Sequence, residues 1–137
     1  MAAHSPSVLV VDDFPDGREM VAEYLVFRGF SVLQASTGAQ AIELARKHRP
    51  RLILMDLGMP GLDGWETTRQ LKGDARTKGC VIIALTAHAL ASQHATAISA
   101  GCDDVIAKPF DLATLATTVD DIVNRNAAPL KGRRNLA

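Results

Sequence analysis

A doubly wound α/β domain with a five-stranded parallel sheet and helices on both faces is the fold class that this sequence predicts. Short runs rich in β-branched residues alternate with longer segments of helical period, and this alternation occurs five times. The central runs are continuously apolar, as strands are when helices cover both faces of a parallel sheet. The length of 137 residues suits one domain with its own core.

The five predicted strands are short and apolar. They are VLVV from Val8, SVLQA from Ser31, RLILM from Arg51, VIIAL from Val81 and DVIA from Asp104. Right-handed crossover connections are expected between them, because the intervening segments are short and regular.

Five helices are predicted between and after these strands. In the first, over residues 15–28, the apolar side chains expected to pack on the sheet are Met20, Val21, Tyr24, Leu25 and Phe27. The second helix follows Thr37 as its cap, the third begins near Gly64, the fourth covers 88–100, and the fifth covers 111–126 with Asp111 as its cap.

The composition is that of a soluble globular protein and argues against two classes of partner. Lys plus Arg and Asp plus Glu number 15 each, so no global field attracts nucleic acid or an anionic membrane. No apolar run is long enough to span a bilayer. Cys80 and Cys102, without a signal-peptide pattern, indicate a reducing cytoplasmic compartment, and a disulfide between them is the alternative.

Side chains capable of chemistry follow the carboxyl ends of four predicted strands. They are Asp12 and Asp13 after the first strand, Asp56 after the third, Thr86 after the fourth, and Lys108 after the fifth. Ligands of open α/β sheets bind at this edge. Any one of these residues alone is commonly a cap, a turn former or a solvated charge, but five suitable residues at one edge favour a functional site.

The predicted cluster of three aspartates requires positive charge. Two carboxylates about 4 Å apart repel by roughly 4 kcal/mol at an effective dielectric near 20. Magnesium prefers such hard oxygen ligands, whereas zinc would call for His or Cys. Asp56 ends the most apolar strand and is the natural nucleophile for an aspartyl phosphate, with Lys108 and Thr86 placed to stabilise the phosphoryl oxygens.

Four segments, VLVVDD, LILMDLGMPGLDG, ALTAHA and GCDDVIAKPF, resemble the successive signature blocks of response-regulator receiver domains. The match covers residue 7 to about residue 126. The resemblance implies a flavodoxin-like sheet with strand order 2-1-3-4-5. It also implies a phosphorelay in which a histidine kinase or a histidine phosphotransfer protein supplies the phosphoryl group.

The resemblance further implies a role for each matching residue. Asp56 would be the phosphoacceptor. The metal, Mg²⁺ with Mn²⁺ able to substitute, would be held by Asp12, Asp13, Asp56 and the backbone carbonyl of Gly58. Thr86, Ala87 and Lys108 would contact the phosphoryl group, and the peptide bond before Pro109 would be cis.

One position departs from the family pattern. Receivers often carry Tyr or Phe three residues before the lysine, where this sequence has Val105. An aromatic switch is therefore unavailable at this position, and switching is expected to work through loop and helix shifts.

The function expected from these observations is a cytoplasmic, phosphorylation-controlled signalling switch, and not an enzyme beyond its own phosphoryl transfer and dephosphorylation. Residues 1–6 would be an N-terminal extension, 7–126 the receiver domain and 127–137 a flexible basic tail. Because no output domain is recognised after residue 126, the alternative is the N-terminal receiver fragment of a larger regulator.

Two other classes of function remain as weaker alternatives. A phosphatase resembling haloacid dehalogenases would need two aspartates spaced two residues apart after the first strand, whereas Asp12 and Asp13 are adjacent. A flavodoxin-like cofactor binder would need hydroxyl and amide donors where DDFPDG presents carboxylates.

The expected partner surface includes the predicted fourth helix. From Cys80 through Cys102 there is no Asp, Glu, Lys or Arg, so the fourth helix has an unusually uncharged surface. Such a surface approaches another protein at a low desolvation cost. We expect helix 4, strand 5 and helix 5 to form the surface that binds a downstream protein or a second copy.

Overall fold

The computed structural model describes residues 7–57, 63–86 and 98–124, in which strands and helices alternate. The strands are β1 Val8–Val11, β2 Val32–Ala35, β3 Leu52–Asp56, β4 Val81–Thr86 and β5 Asp104–Ala107. The helices are α1 Pro15–Phe27, α2 Gly38–His48, α3 Gly64–Lys72 and α4 Leu112–Val123. The helix α4 is the fifth helix predicted from the sequence; the predicted fourth helix lies outside the described residues apart from 98–100, which are helical.

The five strands form one parallel sheet in the order β2-β1-β3-β4-β5. This confirms the predicted fold class and the strand order that the family resemblance implies. In the register of the sheet, Asp56 lies beside Leu85 and Thr86 lies beside Ala107. The carboxyl ends of the central strands therefore meet at one edge.

Each face of the sheet has its own apolar core. Alternate residues of β3 divide between them, because successive side chains of a strand point to opposite faces. Ile53 and Met55 belong to the core beneath α2 and α3, whereas Leu52 and Leu54 belong to the core beneath α1 and α4. Burial on both faces explains why the strands read as continuous apolar runs.

Side-chain caps fix the beginnings of three helices. The Thr37 hydroxyl accepts a hydrogen bond from the backbone N–H of Gln40 at 3.0 Å, and Asp111 caps α4 in the same way. Both caps were predicted. Asp63 caps α3 by accepting from the backbone N–H of Glu66 at 2.9 Å.

The predicted packing of α1 is wrong for two residues. Met20 is 54% exposed and Phe27 is 81% exposed, whereas Val21 and Leu25 are buried against the sheet. Each helical residue turns the chain by about 100°, so Met20 and Phe27, seven positions apart, share a stripe beside the buried one. The sequence prediction assigns apolar residues on both stripes of α1 to the buried face, and this predicted face is wider than the one that packs on the sheet.

The helices α2 and α3 approach closely where Gly38 meets Thr67. A Cβ atom at Gly38 would lie 2.2 Å from the Thr67 Oγ1 atom, so only glycine fits without a shift.

Cys80 and Cys102 are buried free thiols, and the disulfide that the sequence left open is not formed. In the part of the chain that the structure describes, no helix has both the length and the apolar character needed to cross a membrane.

Candidate functional site

The predicted site residues meet at the carboxyl edge of the sheet. Asp12 directly follows β1, Asp56 ends β3, Thr86 ends β4 and Lys108 directly follows β5. The backbone N–H of Lys108 donates to the carbonyl oxygen of Thr86 at 2.7 Å, which continues the sheet by one residue. Parallel pairing therefore places these side chains on neighbouring rigid supports.

The centre of the site is an ion pair between Lys108 and Asp56. The Lys108 Nζ atom donates a hydrogen bond to the Asp56 Oδ2 atom. The Asp56 side chain is 3% exposed and that of Lys108 is 28% exposed. A buried carboxylate is costly without a paired cation, so Lys108 has an electrostatic role in the folded protein. The peptide bond between Lys108 and Pro109 is cis.

Asp12 is a second buried carboxylate at this centre. Its Oδ1 atom accepts a hydrogen bond from the backbone N–H of Phe14 at 2.9 Å. The pKa of Asp12 is raised to about 6, first by burial and then by the charge of Asp56 and the hydrogen bond shared with it, while the Phe14 N–H and the charge of Lys108 act to lower it. One ammonium group thus faces two carboxylates.

The expected cluster of three carboxylates is only partly assembled. Within residues 7–57, 63–86 and 98–124, no three His, Cys, Asp or Glu side chains form a group that could hold a metal ion. Asp12 and Asp56 meet, whereas Asp13 is partly exposed at the next position of the chain. Gly58 and Ala87, which the sequence also suggested, lie outside the described residues.

The donor set of this edge fits magnesium. Asp12 and Asp56 offer hard carboxylate oxygens, and their combined negative charge exceeds the charge of the one lysine. Mg²⁺ needs one or two carboxylates and keeps several waters, so it does not require a closed cage of protein ligands.

A cavity of about 420 Å³ opens beside Asp12, Asp56 and Lys108. Its remaining walls are almost entirely apolar and are formed by Val10, Val11, Gly17, Met20, Val21, Leu85, Pro109, Phe110 and Leu112. Sequence reasoning missed this cavity because its walls come from separate segments. Gly17 is part of it, and a Cβ atom there would lie 3.2 Å from the Asp12 Oδ2 atom.

Thr86 and Val105 lie on the adjacent strands β4 and β5. Thr86 is buried at the end of β4. Val105 pairs with Ala84 and is buried in the core beneath α2 and α3. Its small side chain occupies the position where an aromatic residue is often found in receivers.

A sheet of this order with two buried aspartates and a lysine at its carboxyl edge defines an α/β domain of the receiver class. The family model described as "Response regulator receiver domain" matches residues 8–120. The chain therefore belongs to the response-regulator receiver domain family, the regulatory domains of two-component systems.

Relatives in bacteria have similar sequences. The chain is 34% identical over 116 residues to Protein PilH of Pseudomonas aeruginosa, covering 85% of this chain and 96% of that protein. It is 32% identical over 113 residues to the polar-differentiation response regulator DivK of Brucella anthropi, covering 82% and 92%. It is also 35% identical over 121 residues to the transcriptional regulatory protein KdpE of Mycobacterium tuberculosis, covering 88% of this chain and 52% of that longer protein.

Solved structures share the fold. The chemotaxis protein CheY4 of Vibrio cholerae has a TM-score of 0.79 at 29% identity, with 85% of this chain and 98% of that chain covered. The receiver domain of the sensor histidine kinase PA1611 of Pseudomonas aeruginosa PAO1 has a TM-score of 0.77 at 33% identity, with 87% and 98% covered. That receiver holds a magnesium ion in its active-site cleft.

Proposed function

We propose that this chain is a phosphorylation-controlled switch of the cytoplasm in which Asp56 accepts a phosphoryl group from a histidine kinase or a histidine phosphotransfer protein. The observation that carries the proposal is the Lys108–Asp56 pair at the end of a fully buried strand. A carboxylate held in this way is a positioned nucleophile, and phosphoryl transfer depends mainly on positioning and charge stabilisation.

Each residue has a defined part in the transfer. A carboxylate oxygen of Asp56 forms a bond to phosphorus as the bond between phosphorus and the donor histidine nitrogen breaks. The Lys108 ammonium group, which already contacts Asp56, neutralises the phosphoryl oxygens, and the Thr86 hydroxyl donates a hydrogen bond to one of them. Ala87 would contact the same group.

The residues that would hold Mg²⁺, or Mn²⁺ in its place, are Asp12, Asp13, Asp56 and the carbonyl of Gly58. When bound, the ion supplies positive charge that stabilises the transferring phosphoryl group. The raised pKa of Asp12 supports this assignment, because burial beside Asp56 leaves the pair short of positive charge. The magnesium in the PA1611 receiver supports it by similarity.

The acceptor can be tested by incubating the protein with acetyl phosphate and measuring its intact mass. We expect one added phosphoryl group in the wild type when Mg²⁺ is present and none when it is chelated. Asp56→Asn should remain unmodified, while Asp16→Asn, which alters an exposed aspartate of α1, should be modified like the wild type. Persistent modification of Asp56→Asn would contradict the assignment.

The proposed domain spans residues 7–126, with 1–6 as an extension and 127–137 as a basic tail. The family match over 8–120 supports a domain of this extent. We place the phosphorylation-dependent partner surface on the predicted fourth helix, β5 and α4, although residues 87–97 of that surface lie outside the described part of the chain.

A further inference from the structure

The positive charge of the domain is concentrated on one face. Eight of the eleven Lys and Arg in the described ranges lie between residues 46 and 78, on α2, α3 and the segments that follow them. Of these eight, Arg51 reaches the opposite face, where its Nη2 atom donates to the carbonyl oxygen of Ile122. The proposed phosphoryl transfer uses none of the eight. A surface of this kind attracts an acidic partner.

An open groove of about 610 Å³ lies on this face, between α2, α3 and the loop after α3. It is lined by Ala39, Ile42, Glu43, Arg46, Lys47, Gln70 and Arg76. We call it the α2–α3 groove. Along α2 its lining changes from the apolar residues Ala39 and Ile42, past the anion Glu43, to the cation Arg46, four residues after Ile42.

Two of the three cations that line the α2–α3 groove, Arg46 and Arg76, are held in place by Asp74. Arg46 Nε donates to Asp74 Oδ2 at 2.8 Å, and Arg76 Nη2 donates to the same oxygen at 3.1 Å. These bonds, those from Arg76 first, hold the pKa of Asp74 well below its usual range. Both arginine side chains nevertheless stay about half exposed, at 42% and 55%, so two fixed guanidinium groups face solvent at one end of the groove.

The opposite surface properties occur on α1. The exposed large hydrophobic residues of the described ranges are Phe14, Met20, Val26 and Phe27, all on α1 or just before it. Exposed carboxylates accompany them at Glu19 and Glu23. Among residues 7–57, 63–86 and 98–124, no side chain buries this mixed apolar and acidic surface, which we call the α1 face.

The spacing of the two surfaces is complementary. On α1, Phe27 follows the anion Glu23 by four residues, and on α2, Arg46 follows Ile42 by four residues. Residues four apart lie on one face of a helix about 6 Å along its axis. When α1 of one copy lies antiparallel to α2 of another, Glu23 can therefore face Arg46 while Phe27 faces Ile42.

We propose that the α1 face of one copy of this chain docks in the α2–α3 groove of a second copy. Glu23 then lies against Arg46 and Arg76, and Phe27 covers Ile42. The contact is head-to-tail, because the two surfaces differ. It is weak, because a helix about 20 Å long buries less than the roughly 1,200 Å² of a stable interface.

Docking would also affect access to the site. Met20 on the α1 face lines the cavity that reaches Asp56. A docked second copy therefore covers one approach to Asp56; this consequence, unlike the contact itself, rests on the proposed function.

Sedimentation velocity of the unphosphorylated full chain tests the contact. We expect the weight-average sedimentation coefficient to rise with concentration up to about 1 mM, and the rise to disappear in about 1 M salt, where charges are screened within about 3 Å. Because the protein in this experiment is unphosphorylated, the result does not depend on whether Asp56 is a phosphoacceptor.

Charge reversal identifies the two surfaces. The groove variant Lys47→Glu/Arg76→Glu leaves Arg46 paired with Asp74, and the helix variant is Glu19→Lys/Glu23→Lys. Each alone should associate about tenfold more weakly than the wild type, whereas the exposed control Lys78→Glu should not. Mixing the two variants should restore association, because the reversed surfaces match each other.

Phe27→Ser provides a test without charge change and should also weaken association, since its side chain is exposed and its loss leaves the core intact. A wild type that stays monomeric at about 1 mM in low salt overturns the proposal. A mixture of the two charge-reversed variants that stays monomeric also overturns it. A loss of association in the helix variant but not in the groove variant overturns it as well, because the partner surface of α1 would then lie outside the α2–α3 groove.

Discussion

Lys108 and Asp56 are 52 residues apart in the chain, yet the lysine Nζ atom donates a hydrogen bond to the aspartate Oδ2 atom. The contact arises because β3, β4 and β5 are parallel neighbours, which brings the ends of β3 and β5 to one edge. Asp12 joins them from the end of β1. The topology of the sheet therefore creates the site, and the charges at its edge determine its stability.

The first prediction concerns the cation of this pair. Lys108→Gln leaves two adjacent carboxylates without their ammonium group, and we expect the free energy of unfolding to fall by about 2 kcal/mol at neutral pH, because a charged group then lacks its partner. Urea unfolding in the presence of a chelator measures this. The double variant Asp56→Asn/Lys108→Gln should recover most of the loss, and a single variant as stable as the wild type would contradict the electrostatic role of Lys108.

The second prediction concerns the contact between α2 and α3. Gly38→Ala forces a Cβ atom against Thr67 Oγ1, and we expect a loss of about 1 to 3 kcal/mol in the free energy of unfolding, as for overpacked cores. Gly79→Ala is the matched control, since a Cβ atom there has no neighbour within 4 Å.

Removing the Thr67 hydroxyl tests the cause. The double variant Gly38→Ala/Thr67→Ala should be destabilised by less than the sum of its single variants, because the clash disappears with the Oγ1 atom. If the losses in the free energy of unfolding of the two single variants simply add in the double variant, the contact with Thr67 Oγ1 is not the cause of the destabilisation by Gly38→Ala.

The strands and the position of the site could be predicted from the sequence because their physical signals are local. A strand buried on both faces has to be apolar throughout, as VLVV and LILM are. Asp56, Thr86 and Lys108 follow such runs, so their convergence needed only the assumption of a parallel sheet. Thr37 and Asp111 could be identified as caps because their side chains bond to a backbone group three residues away.

The features that could not be predicted from the sequence depend on contacts between distant segments of the chain. Met20 and Phe27 are as apolar as Leu25, and only the direction from which the sheet approaches α1 decides that they stay exposed. Sequence likewise does not distinguish Asp12 from Asp13, whereas in the fold Asp12 meets Asp56 and Asp13 is partly exposed. The apolar cavity beside Asp56 depends on how α1 and the segment after β5 are placed.

The third prediction concerns the two thiols. Burial raises the pKa of Cys80 and raises that of Cys102 to about 11, so in the folded protein little of either is thiolate at pH 8. We expect Ellman's reagent to leave both unmodified in the native protein and to titrate two thiols after denaturation. Because an ordinary thiol ionises near pH 9, native reactivity should appear only at higher pH. Rapid labelling at pH 8 of a fully folded sample would contradict this.

The fourth prediction concerns the surface through which phosphorylation acts. Ser99 is exposed at the end of the predicted fourth helix, in a segment without charged residues. We expect Ser99→Glu to weaken association of the phosphorylated protein with its partner, because a charge there must be desolvated. A useful switch needs a coupling of about 1 to 3 kcal/mol, so titrations with and without acetyl phosphate should differ by about tenfold in the wild type. An unchanged difference in Ser99→Glu would place the surface elsewhere.

The last prediction concerns Asp12 and the metal. Asp12→Asn keeps an acceptor for the Phe14 N–H but removes one of two crowded carboxylates, so in a chelator we expect a higher free energy of unfolding than in the wild type, by about 1 kcal/mol. Added Mg²⁺ should stabilise the wild type by mass action and Asp12→Asn far less. Asp111→Asn, which alters a carboxylate outside the site, should respond to Mg²⁺ like the wild type. Equal stabilisation of Asp12→Asn and the wild type by Mg²⁺ would exclude Asp12 as a ligand, since the loss of a ligand carboxylate weakens binding of the ion.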